Sequence, residues 1–152
     1  MTIPALVSLD ALRGELPEVV AFAAAVGVVL DTGNVSEDDL RMRVTFRNAD
    51  GESFYCELDC RDFPLYPPTV EFLDETWTRR GEAGLYPAGF HPTPCVCARY
   101  NRKAYADVGG PHGDWRLVDW RLPTPNGGPI DSLSMIVSDL HAKISRSTGR
   151  LG

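Results

Sequence analysis

The sequence predicts an α+β domain: a helix, an antiparallel β-meander, a long irregular stretch and a second helix. Three observations carry that prediction. In "LRMRVTFR", Leu40, Met42, Val44 and Phe46 alternate with Arg41, Arg43, Thr45 and Arg47, the period-two pattern of a strand with one wet face. After turn chemistry in "NADG", "ESFYCELDC" resumes the alternation, with Phe54, Cys56, Leu58 and Cys60 on one face and Ser53, Tyr55, Glu57 and Asp59 on the other. In "IDSLSMIVSDLHAKI" the spacing becomes helical, and Ile130, Leu133, Val137, Leu140 and Ile144 form one apolar stripe.

The remaining elements follow in chain order. Leu9, Leu12, Leu16 and Val20 recur at helical spacing, with Ser8 or Asp10 as candidate caps. Pro17 interrupts them, which predicts a kink or two short helices, the second over about 22–25. "VGVVLD" reads as a buried strand and "DTGNVSEDD" as a polar loop. "RDFPLYPPTVEFLD" is a proline-punctuated crossing that leads into a short strand carrying Val70 and Phe72. Residues 75–130 are rich in Gly, Pro and aromatics without regular period, and a connection that long is usually functional or disordered. Asp131 is the expected cap of the late helix, and Lys143 and Arg146 complement the dipole at its end. Residues 147–152 read as a flexible tail. With no repeat and no internal boundary, 1–152 is expected to be a single domain.

Composition narrows the function classes. At 152 residues the chain is long enough to bury one substantial core. A net charge of −6 and a pI near 5.0 argue against nucleic-acid binding through bulk charge. The N-terminal stretch lacks the basic start and apolar centre of a signal peptide, and no run reaches the roughly 18 apolar residues of a membrane span. A cytoplasmic protein with no membrane partner is therefore expected. There thiols stay reduced, so the four cysteines should be packed, catalytic or metal-bound rather than paired.

Cys56 and Cys60 stand four residues apart on a strand, about 13 Å if fully extended, too far to share one ion or form a disulfide. Both lie on the apolar face with Phe54 and Leu58, where reduced cysteine serves as a small hydrophobe. A zinc site would then have to draw on Cys95, Cys97 and on His91, His112 or carboxylates, and no metal or cofactor is expected. Cys97 follows Val96 and precedes "ARYNRK", which puts Arg99, Arg102 and Lys103 close by; cations beside a thiol favour the nucleophilic thiolate. Cys95 follows Pro94 in a more constrained turn. On local sequence alone, two loop cysteines without chemistry are the favoured account.

The order of these features resembles the ubiquitin-conjugating (E2) family. "FPLYPPTVEF" is similar to its strand-crossing motif, in which Tyr-Pro-x-x-Pro-Pro-x-Val-x-Phe is typical, with two residues missing here. "FHP" is similar to the start of its His-Pro-Asn turn, "VCARY" to the stretch carrying its thioester-forming cysteine, and "DSLSMIVSDLHAKI" to the helix behind its active site. The likeness spans about residues 5–146. Thr93 stands where the family has Asn, the interval from His91 to Cys97 is shorter than usual, and the last two family helices are missing. These departures resemble the divergent bacterial E2-like proteins encoded beside ubiquitin-like modifiers and E1-like enzymes, several of them linked to phage defence.

The resemblance implies an E2-like fold and a set of roles. Cys97, with Cys95 as second choice, is the nucleophile that takes the modifier's carboxyl terminus as a thioester. Thr93 and Asn101 are candidate oxyanion donors, and Asp114 or Asp107 a candidate partner for the incoming lysine. His91 and Pro92 are structural members of the turn, and Tyr100 and Trp115 line the loop or pack beneath it. The implied partners are an E1-like activating enzyme, a ubiquitin-like modifier and a protein target. The alternatives are an E2-like binding scaffold without catalysis and, further off, a small zinc-binding domain.

Overall fold

In the computed structural model, which describes residues 2–33, 35–125 and 127–151, the alternating stretches form a four-stranded antiparallel sheet. Asn34 of the polar loop, Asn126 of the irregular stretch and Gly152 of the tail lie outside the described residues. The strands β1 (Val29–Asp31), β2 (Arg41–Arg47), β3 (Ser53–Asp59) and β4 (Thr69–Leu73) are hydrogen-bonded in the order β1-β2-β3-β4. In register, Val44 faces Cys56 and Cys56 faces Phe72, while Met42 faces Leu58 and Leu58 faces Val70. All six side chains are buried, and each large apolar residue placed this way contributes roughly 1.5–3 kcal/mol relative to exposure. Cys56 and Cys60 belong to this core, and all four cysteines are free thiols.

Two helices complete the layer above the sheet: α1 (Ala5–Val26) and α2 (Leu133–Ser145). Helix α2 buries Leu133, Ile136, Val137, Leu140 and Ile144 against the sheet, and α1 packs beside it through Leu9, Leu12 and Val19. Gly27 ends α1 in the left-handed region (φ 77°), and its N–H donates to the Ala23 carbonyl. No helix among the described residues is long and apolar enough to cross a membrane.

Several expectations are corrected. Pro17 does not divide α1 into two short helices; the helix runs unbroken for 22 residues. Pro17 and Arg13, whose carbonyl loses its partner N–H, are both exposed, while Leu12 and Val19 nearby are buried in the core. Neither Ser8 nor Asp10 caps α1; Pro4 occupies the cap position and its carbonyl accepts from the Val7 N–H. Asp131 does not cap α2. Ser132 accepts from the Met135 N–H, and Glu15 of α1 accepts from the Leu133 N–H at 2.7 Å. "VGVVLD" is an edge strand, not a buried one, with Val29 64% exposed.

The face of the sheet expected to be wet is partly roofed. Glu57 and Glu71 stand opposite one another across β3 and β4, a repulsive pairing offset by Arg80, which reaches both, by Arg43 on Glu57 and by Lys103 on Glu71. Trp77 folds back over the same face, edge-on to Tyr55 and beneath the Arg43 guanidinium. The long stretch 75–130 is therefore not free loop. It contains short 3-10 turns at Ala83–Leu85, Arg102–Ala104, Ala106–Val108 and Leu117–Asp119 and buries Tyr86, Tyr105 and Trp120.

The expected flexible tail is also corrected. The Ser147 hydroxyl donates to the Ala88 carbonyl, the Ala88 N–H to the Gly149 carbonyl and the Leu151 N–H to the Tyr86 carbonyl. Arg150 donates to the Ser53 carbonyl and lies over the Phe54 ring. Backbone bonds and cation–π contact together fix a segment whose composition alone reads as unstructured.

Candidate functional site

The stretch that carries the two neighbouring thiols is held by one buried side chain. Asn101 is fully buried; its Oδ1 accepts from the Val70 N–H (2.8 Å) and the Lys103 N–H (3.1 Å), and its Nδ2 donates to the Val96 carbonyl (2.9 Å). The Val96 carbonyl accepts a second bond from the Ala98 N–H (2.9 Å), so the chain turns tightly about Cys97. The Val96 side chain is itself buried in the core. Next along, the Arg102 N–H donates to the Pro68 carbonyl and its guanidinium to Asp62 at 2.9 Å, above the Tyr66 ring. The Tyr-Pro-Pro crossing and the cysteine stretch are thus bolted together through Asn101 and Arg102.

This geometry separates the thiols. Cys56 and Cys60 are fully buried, Cys95 is 4% exposed, and Cys97 is the one cysteine that reaches the surface in part. Burial pushes the Cys56 and Cys60 thiols far above their ordinary range. Burial, then the neighbouring Cys97, pushes Cys95 up to about 12. Cys97 is therefore the thiol that a solute can reach.

Cys97 lies where two cavities meet. One, of about 380 Å³, is bordered by Gly89, His91, Cys97, Lys143, Arg146 and Ser147. The other, of about 430 Å³, is bordered by Cys97, Tyr100, Trp115, Trp120, Asp139 and Lys143. Lys143 borders both and pairs with Asp139 at 2.8 Å; the Tyr100 hydroxyl donates to the same carboxylate at 2.7 Å. Burial and the Asp139 charge push the Tyr100 phenol well above its ordinary range, so it stays a donor. The thiol thus sits between a basic cleft and an aromatic one, with an ion pair on the partition.

Other residues singled out in the sequence are placed differently from their expected roles. Asn101 is not a free oxyanion donor, because its amide holds Val70, Val96 and Lys103. The Thr93 hydroxyl lies 2.6 Å from His91 Nδ1, which also accepts from the Thr93 N–H. Thr93 borders neither Cys97 cavity; it lines a third with Cys95 and Lys103. His91 borders the basic cleft, and its neighbour Pro92 is exposed in the same turn. Asp114 is 79% exposed beside His112, Asp107 is exposed, and neither borders a Cys97 cavity. Trp115 stacks on His112 at 3.6 Å and still borders the aromatic cleft.

Two of the three cations expected beside Cys97 are engaged elsewhere, and the third stays at its cavity. Arg102 and Lys103 answer buried or nearly buried carboxylates on Asp62 and Glu71, and Arg99 lies over Trp115. The charges that border Cys97's cavities are Arg99 from the basic run and Asp139, Lys143 and Arg146 from α2 and its C-cap; the last three form a set. Their spacing of four and three residues puts them on one polar stripe, a signal present in the sequence beside the apolar stripe. Among the described residues, no three His, Cys, Asp or Glu side chains come together as metal ligands.

Compared with known proteins, the chain matches no protein-family model, no curated protein and no solved structure.

Proposed function

We propose that this protein is an E2-like carrier that holds a ubiquitin-like protein as a thioester on Cys97. The single observation that carries the reading is that Cys97, alone among the four thiols, is partly exposed, at the junction of two cavities. The order of elements supports it: helix, four-stranded meander, Tyr-Pro-Pro crossing, cysteine turn, helix.

In this reading the Cys97 thiolate attacks the modifier's thioester carbonyl on an E1-like enzyme, and the E1 thiolate leaves. The modifier's carboxyl-terminal segment lies in one cavity and the target amine approaches through the other. The amine then attacks the Cys97 thioester, the C–S bond breaks, and an amide forms on the target. With Asn101 and Thr93 engaged elsewhere, main-chain N–H groups of the Cys97 turn are the remaining oxyanion donors. A cytoplasmic setting and a role in bacterial antiphage conjugation belong to the same proposal.

The test mixes the protein with ATP, an E1-like enzyme and its ubiquitin-like modifier. A modifier-sized adduct that dithiothreitol removes is expected, with Cys97→Ser giving a reductant-stable adduct or none. An adduct lost in Cys95→Ser but kept in Cys97→Ser rejects the assignment.

One observation favours a second reading, a binding scaffold without catalysis: the two side chains proposed as oxyanion donors both point to other partners. Full function of both Cys95→Ser and Cys97→Ser variants in whatever process the protein serves would support it.

A further inference from the structure

Cys95 and Cys97 are separated in the chain by Val96 alone but differ in exposure. Cys95 is almost sealed beneath the turn, and Cys97 borders both cavities. Cys56 and Cys60, the other close pair in sequence, are both fully buried and offer a solute no approach. Thiols that sense oxidants combine an accessible sulfur with a second sulfur beside it that can resolve the oxidised form.

We propose that Cys95 and Cys97 form an oxidation site, in which a hydroperoxide oxidises Cys97 and Cys95 closes it as an intramolecular disulfide. In the first step the Cys97 sulfur attacks the terminal peroxide oxygen. The O–O bond breaks, water leaves when the oxidant is hydrogen peroxide, and Cys97 becomes a sulfenic acid, oxidised by two electrons. In the second step the Cys95 sulfur attacks the Cys97 sulfur. The S–S bond forms, the S–O bond breaks, and the leaving hydroxide takes up the Cys95 proton as water. Two thiols and one hydrogen peroxide thus give one disulfide and two waters.

The surroundings set the order of events. Only Cys97 meets solvent, so oxidation begins there. A ring closed over Val96 alone is strained, since the Val96 carbonyl is anchored to Asn101 and Ala98, and strained disulfides are readily reduced. The bond is therefore reversible. If the carrier reading holds, on which this consequence rests, oxidation occupies the sulfur that the thioester needs and stops loading.

The full chain, reduced and desalted, is treated with a few equivalents of hydrogen peroxide, blocked with N-ethylmaleimide and digested with trypsin. Both sulfurs fall in the peptide that ends at Arg99. The wild type is expected to yield that peptide lighter by two hydrogens, unblocked, and restored by dithiothreitol. Cys95→Ser is expected to stop at a dimedone-reactive sulfenic acid on Cys97 and go on to sulfinic acid. A wild type that behaves like Cys95→Ser, forms only a Cys97-linked dimer, or keeps both thiols maleimide-reactive overturns the proposal. The two readings fail separately: an internal disulfide without a modifier adduct leaves the oxidation site standing and removes the carrier, and the converse result does the reverse.

Discussion

The two cysteine pairs of this chain show how little spacing says about reactivity. Cys56 on β3 and Cys60, one residue past its end, both enter the core, where apolar neighbours close over them. Cys95 and Cys97 lie closer in sequence, yet the turn pinned by Asn101 buries one and opens the other to two cavities. In the sheet the backbone repeats, so both thiols share one fate. In the turn it does not, and adjacent thiols acquire different chemistry. Exposure and nearby charge, more than the count of intervening residues, decide which sulfur can act.

The sharpest way to break that comparison is to open the sheet. Phe72 packs against Phe54, Tyr86 and Phe90, and Phe72→Ala should cost about 3–5 kcal/mol in urea unfolding. The variant should expose Cys56 to iodoacetamide under conditions where the wild type labels at Cys97 alone. Asn101→Ala comes next. It leaves the buried Val70 N–H and the Val96 carbonyl short of partners, and a loss of about 2–4 kcal/mol is expected by the same measurement. Because the latch shapes the turn, Cys95 should also become alkylated in that variant.

Serine substitution compares the pairs directly. Cys56→Ser buries a hydroxyl among apolar groups and should cost about 1–3 kcal/mol. Cys97→Ser, at a partly exposed position, should stay within about 0.5 kcal/mol of wild type. Equal losses in the two variants would mean that both sulfurs are packed alike.

The smallest effect is a pH dependence. Cys95 rises from its ordinary 9.0 to about 12 on folding, chiefly through burial. Above pH 9 the unfolded chain gives up this proton while the folded chain keeps it, so the folded state binds more protons and loses stability as pH rises. The Cys95 contribution is full below pH 9 and declines toward pH 12. Cys56 and Cys60 act in the same direction. Melting temperatures across that range should fall, less steeply in Cys95→Ala than in wild type.

Much of the frame was legible because it rests on local repetition. Alternation in β2 and β3 fixes which side chains meet, and the apolar stripe of α2 follows from helical spacing. What escaped local reading depends on partners distant in the chain. Helix α2 is capped in part by Glu15, more than a hundred residues away, and the Pro17 position is tolerated because the face it occupies turns to water. The tail reads as loose, yet its carbonyls and N–H groups meet Tyr86 and Ala88.

The candidate site divides along the same line. The thiol is announced by its residue type, but of the basic run beside it only Arg99 borders its cavities, and the other charges there come from α2 and its C-cap. Arg102 and Lys103 are drawn away by Asp62 and Glu71, carboxylates that a one-dimensional reading cannot place. Asn101 lies close in sequence and has the chemistry of an oxyanion donor, yet Val70, brought near by the Tyr-Pro-Pro crossing, claims its amide.

The most direct test of the central claim is intact-mass analysis of the full chain after incubation with ATP, an E1-like enzyme and a ubiquitin-like modifier. The account predicts one modifier-sized adduct, removed by dithiothreitol, mapped to Cys97 and retained in Cys95→Ser. An adduct carried by Cys95, or none while Cys97 stays open to alkylation, contradicts it.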